Sequence, residues 1–209
     1  MIVVTVSGTA SEVGKTTLVC QLLERLPGWG AVKVTRGHYR SCGRDPETCC
    51  VSHLLADEPR VFSEAADVDV EGKDTGRYVA AGAAAVRWVV CRRGQEREGI
   101  ARALADLDGL PGVIVEGNAV VAACDPALSI MVAPPDAPEV KSSAVRILDR
   151  VDAIYVPDTA AARAAADDPA PLVGAPAGSR RWPVWGRADL DRVVAAAEAG
   201  GIVAARSGA

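Results

Sequence analysis

Near its N-terminus the chain reads Gly8-Thr9-Ala10-Ser11-Glu12-Val13-Gly14-Lys15-Thr16, and these residue types at this spacing can hold phosphate. Glycines let a tight loop turn its backbone N–H groups inward onto phosphate oxygens, and a Cβ at Gly8 or Gly14 would block the close approach. Lys15 brings a full positive charge to the β- and γ-phosphates, and the Thr16 hydroxyl is placed for Mg²⁺. Thr9, Glu12, Val13 and Thr17 complete the cradle. The common form of this motif, the P-loop, is G-x-x-x-x-G-K-[ST]. Here five residues separate Gly8 from Gly14, so the loop is one residue longer while its Gly-Lys-Thr end is intact. The expectation is a site for a nucleoside triphosphate, ATP or GTP, with Mg²⁺.

Such a loop needs a strand before it and a helix after it. Residues 2–6 are an apolar run that reads as a buried strand, and 16–26 as a helix with Leu18, Val19, Leu22 and Leu23 inward. The helix N-terminus adds about half a unit of positive charge at the phosphates. Further strands are expected at 31–35, 87–91, 112–115, 128–132 and 153–156. Helices are expected at 74–86, 96–107, 139–150, 159–166 and 188–199, and one or two short strands within 171–185. Residues 37–72 show no clear period and read as a long excursion with a small hairpin of its own. Alternating strands and helices predict an α/β fold, a mostly parallel sheet with helices on both faces. No Pro/Gly-rich linker divides the chain, so one domain over 1–209 is expected.

A metal bound to the triphosphate needs a carboxylate. The run Gly112-Val113-Ile114-Val115-Glu116 is an apolar strand ending in an acid, and ligands of open α/β sheets sit at the carboxyl ends of strands. Glu116 is therefore the candidate for Mg²⁺, directly or through water. Lys15, Glu116 and Asp74 are the candidate catalytic residues. Asp74 and Thr75 could sense the γ-phosphate, while Asp74 is also a good helix N-cap residue.

Two resemblances follow from these motifs. The loop Gly-Thr-x-x-Glu-Val-Gly-Lys-Thr resembles the dethiobiotin synthetase family, which shares the extra residue and is related to metal-insertion NTPases. The strand Val32-Lys33-Val34-Thr35-Arg36, with Gly72-Lys73-Asp74-Thr75-Gly76-Arg77-Tyr78 and Ala81-Gly82-Ala83, resembles molybdopterin-guanine dinucleotide biosynthesis protein B over about the first half of the chain. That likeness implies a P-loop NTPase in which a Lys-bearing strand leads to a Lys-Asp-Ser/Thr segment and a helix beside the nucleotide. It also implies slow hydrolysis, a partner protein of cofactor biosynthesis and a homodimer. The chain departs from the pattern in its longer P-loop, in a longer and Cys-richer excursion, and in Gly117-Asn118 after the acid. Lys141-Ser142-Ser143-Ala144 resembles a Lys-Pro-Ser-Ala segment of relatives.

Both histidines and three of the six cysteines fall in one segment, His38, Cys42, Cys49, Cys50 and His53, spaced H-x3-C-x6-C-C-x2-H. Thiolate and imidazole suit Zn²⁺ or another soft metal, and four of the five would complete a tetrahedral site. A loop with incidental thiols is the plain alternative. Cys20, Cys91 and Cys124 sit in or beside apolar elements and read as small core residues. The Asn-Lys-x-Asp run that recognises guanine in many GTPases is absent, and Pro157-Asp158 is the segment expected near the base.

Composition narrows the class. A net charge of −4 without a long basic run gives no reason to expect nucleic acid. The chain has no long apolar stretch for a membrane span, and its first residues lack the basic region of a signal peptide, so a cytoplasmic protein with reduced thiols is expected. Three functions fit: a slow accessory NTPase of metal-cofactor biosynthesis of the molybdopterin dinucleotide type, a metallochaperone NTPase using the Cys/His segment, and an ATP-dependent ligase or kinase of a small acid.

Overall fold

The computed structural model describes residues 1–37, 51–137, 139–176 and 178–202. Among the described residues fifteen strands and α-helices follow one another: β1 (Ile2–Gly8), α1 (Lys15–Leu23), β2 (Gly30–Arg36), β3 (Arg60–Phe62), α2 (Ala65–Val68), α3 (Asp74–Ala80), β4 (Val86–Cys91), α4 (Glu96–Ala105), β5 (Gly112–Glu116), β6 (Leu128–Val132), α5 (Ser142–Val145), β7 (Ala153–Val156), α6 (Thr159–Ala164), β8 (Val184–Gly186) and α7 (Leu190–Glu198). The strands form one sheet in the order β3-β4-β2-β5-β1-β6-β7-β8. Every pairing is parallel except β3 with β4 at the edge.

The apolar runs become central strands because both faces of the sheet are covered. Every residue of β5, β6 and β7 is buried, as a parallel sheet packed on two sides requires. One face carries Val4, Val6, Ile114 and Ile130 under α1 and α7, together with Tyr78 of α3. The other carries Val113, Val115, Met131 and Ile154 with Ile100 of α4 and Ala162 of α6. Leu18, Val19, Leu22 and Leu23 of α1 are all inward. No helix among the described residues is long and apolar enough to cross a membrane.

Three local expectations are corrected. The helix from Asp74 ends at Ala80 rather than running to Val86, because Gly82 adopts φ 87° and turns the chain into β4. Residues 139–150 form not one helix but a single turn, α5, and a 3₁₀ turn at Leu148–Arg150. The Lys141 amide donates to Thr9 O at 2.8 Å, which holds that stretch extended against the phosphate loop and overrides its helical pattern. The described part of the excursion, 51–72, makes no hairpin of its own: β3 pairs antiparallel with β4, with Phe62 and Trp88 rings 5.1 Å apart. Of the three cysteines expected in the core, Cys91 is buried, whereas Cys20 and Cys124 are half-exposed at its margin.

Candidate nucleotide site

The loop between β1 and α1 is held at its start by groups distant in sequence. Asn118 makes a paired contact with Gly8: its Oδ1 accepts from Gly8 N at 2.9 Å and its Nδ2 donates to Gly8 O at 2.9 Å. Thr9 N donates to Val132 O at 3.0 Å. A Cβ on Gly8 would stand 2.7 Å from the Val13 side chain, and Gly14 adopts φ 95°, which L side chains rarely take. Glu12, at φ 59°, is the one non-Gly residue with positive φ among the described residues; such strain is concentrated at ligand-binding loops. Lys15 Nζ crosses the loop to donate to Ala10 O at 2.8 Å. Burial, with repulsion from Lys33 and Lys141, lowers the Lys15 pKa against a pull from Glu116.

Beside Lys15 lies a dense polar knot. The Thr16 hydroxyl is 2.9 Å from Glu116 Oε2 and 3.0 Å from Asp74 Oδ1, with one proton to donate between them. Lys33 Nζ stands 2.5 Å from Glu116 Oε1 and 2.5 Å from Asp74 Oδ2. Tyr78 donates its phenolic proton to Glu116 Oε2. Glu116 is only 1% exposed. Sheet register produces this meeting: Lys33 on β2 and Val6 on β1 are the residues aligned with Glu116 on β5, so Lys33 and Glu116 project side by side toward the face under α1 and α3.

The charges in the knot sustain one another. Burial opposes charging of Lys33, but Glu116 and Asp74 outweigh it and raise its pKa above the usual lysine value. Burial likewise acts against ionised Asp74, yet the Lys33 and Thr16 contacts prevail and its pKa falls. Burial and the Glu116 charge push the Tyr78 phenol well above its ordinary value. Asp74 does not cap its helix: the N-cap is Lys73, and the Asp74 carboxylate faces the P-loop instead.

Two cavities flank the loop. The larger, about 860 Å³, is lined by Ala10, Ser11 and Lys15 on the loop side and by the ends of β2 and β5. The smaller, about 330 Å³, lies past Glu12–Gly14 and is bounded by Thr17, Pro134, Asp136, Tyr155, Pro157 and Arg187.

No protein-family model matches the chain, and no curated protein does. Solved structures do match. HypB from Helicobacter pylori, in complex with nickel, superposes with a TM-score of 0.50 and 12% identity over 99% of this chain and 92% of that one. LpxK from Aquifex aeolicus, an apo form in complex with ATP, gives a TM-score of 0.46 and 15% identity over 89% of this chain and 53% of that one, so the chain spans about half the length of LpxK. The chain has a P-loop NTPase fold.

The acid-bearing strand, β5, neighbours β1 directly, which is why Glu116 reaches Thr16. Of the residues expected from sequence, the fold brings Lys15, Thr16, Asp74 and Glu116 together. Thr17 accepts from Arg77 Nη2 at 3.1 Å and faces the smaller cavity. Pro157 also lines that cavity, whereas the Asp158 carboxylate caps α6 by accepting from Ala161 N at 2.7 Å. His38, Cys42, Cys49 and Cys50 lie outside the described residues, and His53 is exposed on the turn Ser52–Leu54. Among the described residues no three His, Cys, Asp or Glu side chains gather to hold a metal ion.

Sequence reasoning missed Lys33, Tyr78 and Asn118 as members of the site. A signal existed for Lys33: a lysine inside Ala31-Val32-Lys33-Val34 is a charge in a run that otherwise reads as buried, and such a charge needs a partner. Nothing local marked Tyr78.

Proposed function

We propose that this P-loop NTPase binds a magnesium–nucleoside triphosphate at Gly8–Thr16 and hydrolyses it slowly, as an accessory protein of metal-cofactor biosynthesis of the molybdopterin dinucleotide type. The observation that carries the reading is the convergence of Thr16, Asp74 and Glu116 oxygens beside the Gly14-Lys15-Thr16 turn. These are hard oxygen donors of the kind Mg²⁺ selects, and they fit the ion either directly or through water. When bound, Mg²⁺ would neutralise charge on the β- and γ-phosphates. The chain's own groups do the rest. Loop amides and Lys15 orient the phosphates, while Lys33 pairs with Glu116 and favours the ionised form of Asp74. A slow rate is supported by the state of the acids: the two carboxylates lining the larger cavity, Glu96 and Glu116, are both ion-paired, Glu96 with Arg36 and Glu116 with Lys33. Neither is free to orient an attacking water. The pathway rests on the resemblance of the Lys33 strand and the Asp74 helix, which here meet at one carboxylate.

Glu116→Gln keeps the shape and removes the charge. Phosphate release at limiting Mg²⁺ is expected to fall about 10- to 100-fold, with Mg²⁺-independent nucleotide binding little changed. A variant that releases phosphate at the wild-type rate would reject Glu116 and turn attention to Asp74.

A second reading, the metallochaperone, is supported by the composition of His38, Cys42, Cys49, Cys50 and His53. It predicts about one Zn²⁺ per chain, the capacity of one tetrahedral thiolate–imidazole site. Replacing Cys49 and Cys50 by Ser should remove that metal and leave nucleotide binding intact. Elemental analysis of reduced protein prepared without chelator, finding no metal, would dismiss it.

A further inference from the structure

The larger cavity holds more than the end of a triphosphate. Its volume of about 860 Å³ is that of a whole small-molecule site. It starts at Ala10, Ser11 and Lys15, the side of the loop where Lys15 would meet the γ-phosphate. The smaller cavity, on the Gly14 and Thr17 side, would then take ribose and base. A nucleotide seated in the P-loop with its base in the smaller cavity therefore leaves most of the larger one empty.

Among the described residues, what lines that space is mostly cationic. Arg36 at the end of β2, Arg93 before α4, Arg97 in its first turn, Lys141 before α5 and Arg146 after it all face the cavity. Against them stand Glu96, paired with Arg36 at 3.3 Å, and Glu116, paired with Lys33. Lys141 Nζ donates to Ser11 Oγ at 2.6 Å, which sets its charge next to the phosphate loop. Among the described residues Arg93 and Arg146 enter no ion pair. The chain as a whole carries −4, so this gathering of cations is local and runs against the average. Like charges converging from separate elements repel one another unless an anion sits between them.

We propose that this cleft binds a second small molecule bearing at least two phosphate or carboxylate groups, together with the nucleotide and next to its γ-phosphate. The proposal rests on the P-loop holding a nucleoside triphosphate, and it adds the class of the second ligand. Arg93 and Arg146, brought to the cleft by separate elements, would clasp separate anionic groups, and Lys141 would face the triphosphate.

Calorimetry tests it in two stages. Wild-type protein is first titrated with the ATP analogue AMP-PNP and Mg²⁺. The loaded protein is then titrated with fructose 1,6-bisphosphate, glutarate and, as a neutral control, fructose. At least one dianion should bind and fructose should not; which dianion binds separates a phosphate ligand from a carboxylate one. Arg93→Ala/Arg146→Ala should weaken that binding about tenfold or more while the affinity for AMP-PNP stays the same. The Lys double variant should recover part of the loss. The proposal is overturned if neither dianion binds the loaded protein, if the double Ala variant binds it as tightly as wild type, or if the dianion merely competes with AMP-PNP for the loop. If AMP-PNP itself fails to bind, the P-loop reading fails instead, and the same titrations on nucleotide-free protein decide the cleft.

Discussion

Lys15→Ala is expected to weaken binding of ATP and GTP by tens to thousands-fold. The side chain places a full charge where the β- and γ-phosphates would lie, in a pocket partly closed to water. Losing such a partner costs roughly 2–5 kcal/mol, which converts to that range of dissociation constants. The nucleotide-free protein supplies the control. There Lys15 satisfies itself with the Ala10 carbonyl, and burial lowers its pKa. A lysine whose folded pKa is lowered imposes a penalty on the fold that is fully present below the folded pKa and is relieved as pH rises toward the unfolded value of 10.5. Removing it should therefore leave the melting temperature of the empty protein unchanged or slightly higher. Calorimetry showing undiminished binding of both nucleotides by a folded variant would remove the phosphate assignment.

Lys33→Met should be the most destabilising single change at the site. It strips the ammonium from Glu116, which is 1% exposed and keeps only two hydroxyl donors, Thr16 and Tyr78. Breaking a buried pair by removing one partner costs about 3–5 kcal/mol, a large share of the roughly 5–15 kcal/mol that holds a domain folded. Adding Glu116→Gln should restore much of the loss, because the charge left uncompensated is then gone. Denaturant unfolding of wild type, both single variants and the double variant measures the coupling; additive single effects would show that Lys33 and Glu116 do not act as a pair. The same knot sets the pH range of the wild type. Asp74 has a depressed folded pKa, so its contribution is present above its unfolded value of 3.8 and lost as pH falls through the folded one. Lys33 has a raised pKa, so its contribution is complete below 10.5 and lost as pH rises through the folded value. Stability from this pair should hold level between those limits and decline beyond each.

Some of this was legible residue by residue. The loop Gly8–Thr16 announces itself because phosphate binding by backbone amides uses a contiguous segment between a strand and a helix. The strand ending at Glu116 was legible for a similar reason, since an apolar run closed by one acid places that acid at the sheet's ligand edge. The helix expected over residues 139–150 was misread because its pattern is helical while Lys141 bonds to Thr9 across the fold. Asp74 allowed two readings, cap or switch, and its carboxylate turned out to face Thr16 and Lys33.

The sequence by itself determined that a P-loop motif stands between a strand and a helix, that an acid stands at a strand end near it, and that strands and helices alternate into a mostly parallel sheet. Each depends on neighbours within a few residues or on a period repeated along one element. Only the tertiary structure decided that Lys33, Tyr78 and Asn118 belong to the site, and that Arg36, Arg93, Lys141 and Arg146 face one cleft. Those meetings are set by strand order and register. Lys33 stands opposite Glu116 because β2 pairs with β5, two strands separated by an excursion, α3, β4 and α4 along the chain. No local pattern encodes such a pairing: it is selected by the packing of the whole sheet, which brings groups far apart in sequence within hydrogen-bond reach.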